Sequence, residues 1–351
     1  MSYSSLALPL LDGLTDSGEA LEADCLHLPN ERLPWIEWRT RRGPVLHPSP
    51  FNDDPEVLSL NLSQGCLHRC SFCSLRGNES YRGDETIYLY RDTPEQLDRE
   101  LRLRVHGPRA VILSPSSDLF GPELTVQQEA LKVIKVLSRH GVAAWLMTRG
   151  IIRPRILDEL LTIKSGLRIR VALTTVNRRL QRVLEPLTAP PMLRLKQLER
   201  LVRAGVAVDV VLEPLLPGLT DMPANLRPLL RALAERGIRQ IAAGYAFLRT
   251  GIRENLREAL TAADLPVEEL EAAYEGGPLL TSGQIAAARY LPRKRRQRGY
   301  ASLMALAAEF GIHVQVCPGT NPDFQPSRPR PDRTGSRISL RTLFASAGHA
   351  G

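Results

Sequence analysis

Cys66-Leu67-His68-Arg69-Cys70-Ser71-Phe72-Cys73 gathers three of the chain's five cysteines within eight residues. The spacing C-x3-C-x2-C sets three thiolates on one tight loop. Such a loop can hold three irons of a [4Fe–4S] cube and leave the fourth open to an exchangeable ligand. A structural zinc site would need a fourth Cys or His at a second spaced pair. His68 lies inside the loop, while Cys25 and Cys317 stand far off and unpaired. A disulfide scaffold would leave one of the three thiols odd, and belongs in small secreted domains rather than in 351 residues.

At this length one large core or two ordinary domains can form, and 43% hydrophobic content argues for a folded globular chain. Residues 1–16 have no basic run ahead of their short apolar stretch, so they do not read as a secretory signal. No apolar run reaches the roughly 18 residues of a membrane span. Reduced thiols with an iron–sulfur loop make the cytoplasm the expected compartment. A net charge of +8 and a pI near 9.5 invite a nucleic-acid reading. Only five of the 46 cations are lysines, a skew that a GC-rich genome produces as readily as phosphate binding does. The one dense run, Arg293-Lys294-Arg295-Arg296-Gln297-Arg298, fits a solvated helix face or a phosphate contact.

Periodicity supplies the architecture. Alternating or short apolar runs at 57–62, 110–113, 142–147, 167–173, 206–212 and 238–247 read as strands. Between them, helical patterns run over 93–105, 125–139, 154–163, 192–204 and 223–235; Thr93 and Pro94 open the first, and glycines close several. Strands alternating with helices of this length make right-handed βαβ units on a parallel sheet. The expected fold is α/β, a partial (β/α)6 TIM-type barrel, with a doubly wound sheet as the alternative. Four regions follow: a lead-in over 1–50, the barrel over 51–250, an α/β extension over 251–326, and a tail over 327–351. The extension reads as helices at 254–262, 267–274 and 301–310 and a strand at 312–316. The tail is rich in Pro, Arg and Ser, has little to bury and is expected to be poorly ordered.

In parallel α/β folds the chemistry sits at the carboxyl ends of the strands. The cysteine loop follows the first strand and so lies on that rim. The other strand ends carry Ser114-Pro115-Ser116-Ser117-Asp118, Thr148-Arg149, Thr174-Thr175 with Glu185-Pro186 and Arg194-Leu195, and Glu213-Pro214. The three cysteines with Phe72 before the last resemble the signature of the radical S-adenosylmethionine (SAM) superfamily. The order of the rim segments over roughly 58–323, ending in Cys317…Asn321-Pro322-Asp323, resembles its spore photoproduct lyase-like ("DNA repair photolyase") group.

That resemblance implies an enzyme in which Cys66, Cys70 and Cys73 hold a [4Fe–4S] cluster. The cluster cleaves SAM reductively, and the resulting 5′-deoxyadenosyl radical takes a hydrogen atom from a substrate. Phe72, Ser117, Asp118, Arg149, Thr174, Thr175, Glu185 and Arg194 become the expected SAM contacts, with Arg149 where the group has Lys. A guanidinium there can pair a carboxylate bidentately. Thr174, Thr175 and Ser117 could instead cap strand ends, and Glu185 could pair Arg194. Glu213 and Cys317 are the candidate catalytic residues, Cys317 as a hydrogen donor. An electron donor of flavodoxin or ferredoxin type and a nucleic-acid substrate are the implied partners. Two departures stand out. The lyase has a donor cysteine where this chain has Ser114-Pro115-Ser116, and a tyrosine where it has Ser74. From a different class, a zinc-stabilised nucleic-acid-binding protein without catalysis would account for the charge but not for the ordered rim segments.

Overall fold

The computed structural model describes residues 35–49, 54–76, 86–282 and 285–324. Residues 1–34, including Cys25, and the expected tail lie outside them. Six parallel strands follow one another in chain order. They are β1 (Val57–Leu60), β2 (Ala110–Leu113), β3 (Ala143–Thr148), β4 (Leu167–Ala172), β5 (Ala207–Leu215) and β6 (Gln240–Tyr245). A seventh, β7 (His313–Val316), adds parallel to β6, and the two-residue strand His47–Pro48 adds antiparallel to β1. These are the two edges, so the barrel is open and does not close on itself.

Helices cover the outer face: α1 (Thr93–Leu103), α2 (Leu124–Arg139), α3 (Pro154–Thr162), α4 (Arg178–Leu184), α5 (Pro191–Arg203) and α6 (Pro223–Glu235). Proline stands in the first turn of α1, α3, α5 and α6, where its missing N–H has no helical partner to lose. Asp92 rather than Thr93 is the N-cap of α1, in the left-handed region at φ 53°. Thr93 instead donates its hydroxyl to Tyr90 O at 3.0 Å. Side chains alternate across each strand. Val111, Leu146, Ile169, Val171, Val210, Leu212 and Ile241 therefore join the helix leucines in the main core. The opposite, inner face carries Trp145, Met147, Arg168, Arg170, Ala172, Asp209, Val211, Glu213 and Ala242.

The C-terminal extension is less separate than the sequence implies. After α7 (Thr250–Ala262) and α8 (Val267–Ala272), the antiparallel pair Leu279–Ser282 and Ile285–Tyr290 joins Phe247–Leu248 in a small sheet. Helix α9 (Arg293–Ala308) then leads into β7, so the extension supplies the last strand of the parallel sheet. The helix starts eight residues before the expected 301, and the basic run forms its first turns. At the other end, Trp35–Arg39 pairs parallel with Thr86–Tyr90, which pairs antiparallel with Ser63–Gln64 just ahead of the cysteine loop.

Arg296 corrects the simple reading of the basic run as a surface feature. Its side chain is fully buried and donates to Leu291 O, Asn321 Oδ1 and both oxygens of Asp323 at 2.6–2.8 Å. It ties α9 to the segment that follows Cys317. Removing one partner of a buried pair leaves the other charge uncompensated, at a cost of about 3 kcal/mol or more. Arg296→Met should therefore lower the urea midpoint sharply, while Arg298→Met, on the exposed side of the same run, should change stability by under about 0.5 kcal/mol. Equal midpoints for the two variants would refute this division of the run.

Candidate functional site

The cysteine loop leaves β1 through Asn61, Leu62 and Ser63 and turns at Gly65. That glycine sits at φ 93°, and a Cβ on it would come within 2.7 Å of Thr86 O, so only glycine fits. Cys66 and Cys73 are half-buried and Cys70 is buried. The three sulfurs lie close enough to act on one another electrostatically. Backbone and side-chain bonds fix the loop. Ser71 donates its N–H (2.9 Å) and hydroxyl (3.3 Å) to Leu184 O at the end of α4, and Cys73 N–H donates to Cys70 O at 3.1 Å.

Burial pushes the Cys66 thiol up to about 12, with Asp118 adding to the effect. Cys70 is also raised by burial, against the opposing pull of the Arg149 guanidinium. Cys66 and Cys70 can ionise together only against strong local positive charge, which bound metal provides. The donor set therefore suits iron. Among the described residues no three His, Cys, Asp or Glu side chains converge on a single-ion position, as a zinc site would require. A four-iron cube instead gives each thiolate its own iron. His68 adds nothing to a zinc set, since Nε2 lies 2.9 Å from Asp118 Oδ2 and Nδ1 3.2 Å from Leu187 O.

Two carboxylates organise the rim. Asp118, after β2, meets His68 at Oδ2, the hydroxyl of Thr148 at both oxygens (2.8 and 3.1 Å), Arg149 N–H at 2.7 Å and Phe120 N–H at 2.9 Å. Burial would raise this carboxyl, but His68 and the hydrogen bonds hold it below the usual carboxylate range. Glu185, fully buried beyond α4, lies between two arginines. Its Oε1 accepts from Arg149 at 2.5 Å and Thr174 at 3.0 Å; its Oε2 accepts from Arg194 at 2.5 Å and Thr188 at 3.2 Å. Burial opposes its charge, yet Arg194 and Arg149 bring its carboxyl down to about 2.

Arg149 links these parts. Its second terminal nitrogen donates to Glu213 O at 2.6 Å, and its guanidinium lies over the Phe72 ring, 4.9 Å from the centroid. Arg194 is wholly engaged, with further donations to Ala189 O and Ala172 O, so it holds the scaffold rather than a ligand. Thr175 accepts from Asn177 N–H at 2.9 Å, capping the strand end, and Ser117 shares a 3.0 Å bond with Ser63.

Glu213 and Cys317, far apart in sequence, share the inner face at the mouth. The Cys317 thiol is hydrogen-bonded to the Glu213 carboxylate and held high by burial and by that negative charge. Thr320 adds a 3.4 Å donation to Glu213 Oε1. Gly244 on β6 makes room for the pair, because a Cβ there would overlap both Glu213 and Thr320. All the expected rim residues are thus gathered at one end of the sheet. Asp118, Glu185 and Arg194 are each held by several protein partners. Gly244 was not expected, and neither were the specific roles of His68, Thr148 and Thr188. Only the placing of His68 inside the cysteine loop and Thr148 beside Arg149 hinted at them.

A family model described as the radical SAM superfamily matches residues 60–226. An uncharacterised protein, ORF301, of Acidianus two-tailed virus is 25% identical over 198 residues, 52% of this chain and 65% of that protein. An uncharacterised protein of Mycobacterium tuberculosis (strain H37Rv), Rv2578c, is 25% identical over 226 residues, 60% of this chain and 66% of its own length. The chain thus spans just under two thirds of these relatives. A spore photoproduct lyase complexed with dinucleoside spore photoproduct superposes with a TM-score of 0.61 at 14% identity, covering 80% of this chain and 82% of that one. The likeness is one of fold. The engaged His68 leaves the zinc alternative without a fourth ligand from the loop.

The lowered carboxyl of Glu185 makes a pH-dependent contribution to stability. A depressed carboxylate stabilises fully above its unfolded value, near 4.5, and the contribution fades as pH falls toward the folded value of about 2. A shift of that size corresponds to about 3 kcal/mol. Glu185→Gln should be less stable than the parent by about that amount at pH 7. The gap should narrow steadily between pH 4.5 and 2.5 in urea unfolding series. Parallel stability curves down to pH 2.5 would show that Glu185 is not the ionised link between the two arginines.

Proposed function

The chain belongs to the radical SAM superfamily, and from that premise we propose that Cys66, Cys70 and Cys73 hold three irons of a [4Fe–4S] cluster for hydrogen abstraction from a nucleic-acid-type substrate. The observation that carries this reading is the placing of Cys66, Cys70 and Cys73 on one rim loop beside a guanidinium stacked on Phe72. When bound, the cluster and SAM supply the hard chemistry: one electron breaks the sulfonium C5′–S bond and yields a 5′-deoxyadenosyl radical. The protein contributes position and a dry, charged wall.

Phe72, Ser117, Arg149 and Thr174 would face SAM, with Thr175 shaping the strand end. Arg149 keeps N–H groups beyond those engaged by Glu185 and Glu213 O, and these can pair a carboxylate. Asp118, Glu185 and Arg194 are positioning residues that set the height and tilt of Arg149 and Thr174. Glu213 and Cys317 would face the substrate from the inner face of β5 and the end of β7. Residues 51–250 then form the catalytic unit, with 251–326 completing its sheet.

The nucleic-acid class is supported by the resemblance, by the net charge of +8 and by the spore photoproduct lyase structure that holds a dinucleoside spore photoproduct. Two positions set the chain apart from that lyase, Ser114–Ser116 in place of its donor cysteine and Ser74 in place of its tyrosine. Ser114 stands near the lyase's donor cysteine and accepts from Leu62 N–H at 3.2 Å. Cys317 is the one thiol outside the loop among the described residues. One external electron is needed for each cleavage, and a flavodoxin- or ferredoxin-type protein would supply it.

Anaerobic reconstitution should give about four irons per chain. Cys66→Ala/Cys70→Ala/Cys73→Ala should bind almost none. Incubated with dithionite, SAM and deuterium-labelled DNA, the parent should move label into 5′-deoxyadenosine. Iron retained by the triple variant would overturn the cluster assignment, and unlabelled 5′-deoxyadenosine would overturn the substrate class alone.

A further inference from the structure

The outer helical layer holds a groove of about 790 Å³ between α2 and α3, and nothing in the site described above uses it. Leu124, Leu131 and Ile156 form part of an apolar floor, and Lys132, Lys135 and Arg155 are among the cations around it. Of the groove's charged lining residues four are cations and one, Glu159, is a carboxylate. Leu124 is 42% exposed, an apolar side chain left to water at the head of α2.

One end of the groove neighbours, along the chain, the residues that face the cysteine loop. Gly121, Glu123 and Val126 line the small space beside Cys66, and Leu124, between the latter two, lines the groove. Arg153 is part of the groove wall and donates to Pro122 O at 2.7 Å, fixing the strip of chain that separates the two. A molecule seated at the Leu124 end of the groove is separated from the space beside Cys66 by the strip Gly121–Val126. It lies on the helix-covered side of the sheet, away from the inner face where Glu213 and Cys317 sit.

We propose that this groove docks the protein that delivers the electron, an acidic one-electron carrier with carboxylates around its exposed prosthetic group. The proposal rests on the radical SAM reading. The step is a single electron transfer: the carrier is oxidised by one electron, the cluster is reduced by one, and no proton or bond changes hands. Lys132 is paired with Glu129 at 2.6 Å and Lys135 with Glu159, all on the surface. Exposed pairs of this kind contribute little, so carboxylates of a partner can take them over. A basic rim speeds encounter with an acidic partner, and the apolar floor gives the docked complex a contact that excludes water. A nucleic acid would use the rim but not the floor, so the observations favour a protein.

The test uses the full chain with reconstituted cluster and a flavodoxin in its hydroquinone form. Stopped-flow absorbance follows cluster reduction at low and high salt, with photoreduced deazariboflavin as a small uncharged reductant. Lys132→Glu/Lys135→Glu/Arg155→Glu should slow reduction by flavodoxin about tenfold or more at low salt. Arg293→Glu/Arg298→Glu should behave like the parent. High salt should bring the parent's rate down toward that of the groove variant. Deazariboflavin should reduce all three proteins alike, which also shows that each is folded and loaded. Unchanged flavodoxin rates in the groove variant, or equal slowing by the α9 variant, would overturn the docking site. So would a groove variant that loses DNA binding but not flavodoxin reduction. If deazariboflavin bleaches no cluster in the parent, the radical SAM reading falls and the docking site with it.

Discussion

The rim depends on one buried carboxylate. Glu185 has no access to water and faces Arg149 on one oxygen and Arg194 on the other. Two guanidiniums at that depth would repel each other and carry a large desolvation cost, and the carboxylate between them makes the arrangement tenable. The two arginines do different things. Arg194, on α5, reaches back to Ala172 O at the end of β4 and to Ala189 O, stitching helix to strand. Arg149 reaches forward over Phe72 and onto Glu213 O, so the end of β3 is tied at once to the cysteine loop and to β5.

Asp118 performs the matching task on the other side. By joining His68, Thr148 and the Arg149 N–H, it locks the loop after β2 to the cysteine loop and to β3. The three thiols are thus set by a polar frame rather than by hydrophobic packing alone. Such a frame is specific because each buried polar atom left without a partner costs about 1–3 kcal/mol. A slipped loop would lose several partners together.

The parallel core was legible because buried parallel strands read as short apolar runs between amphipathic helices, and the cysteine spacing is a local pattern. What escaped was non-local or weakly marked. The strand Ile285–Tyr290 contains three alanines, which favour helix, and its two partners, Phe247–Leu248 and Leu279–Ser282, are short. Helix α4 is seven residues long, too short for its period to show. Asp118, Glu185 and Arg194 could be picked out as rim residues. The Glu185–Arg194 pair was one reading of the sequence and is present; the other contacts could not be read, because they are fixed by Thr148, Arg149 and Thr188, which come within reach only once the strands are aligned. The run at 293–298 looked uniform, and only the fold singles out Arg296 by turning it inward.

The open sheet gives the two faces different work. A closed barrel fills its interior with layers of bulky side chains. Here the middle of the inner face carries the small side chains Ala172, Val211 and Ala242 beneath Cys317. Nearer the base, Arg168 and Arg170 meet Asp209 at 3.5 Å, and Met147 is 49% exposed. That face mixes charged side chains with small buried apolar ones. Stability comes from the other side, where the leucines of α1–α6 pack on the sheet. The cysteine loop stands where the two faces meet. It touches the inner mouth through Arg149 and approaches the outer groove through Gly121–Leu124, so a substrate and an electron carrier could both be served without competing for space.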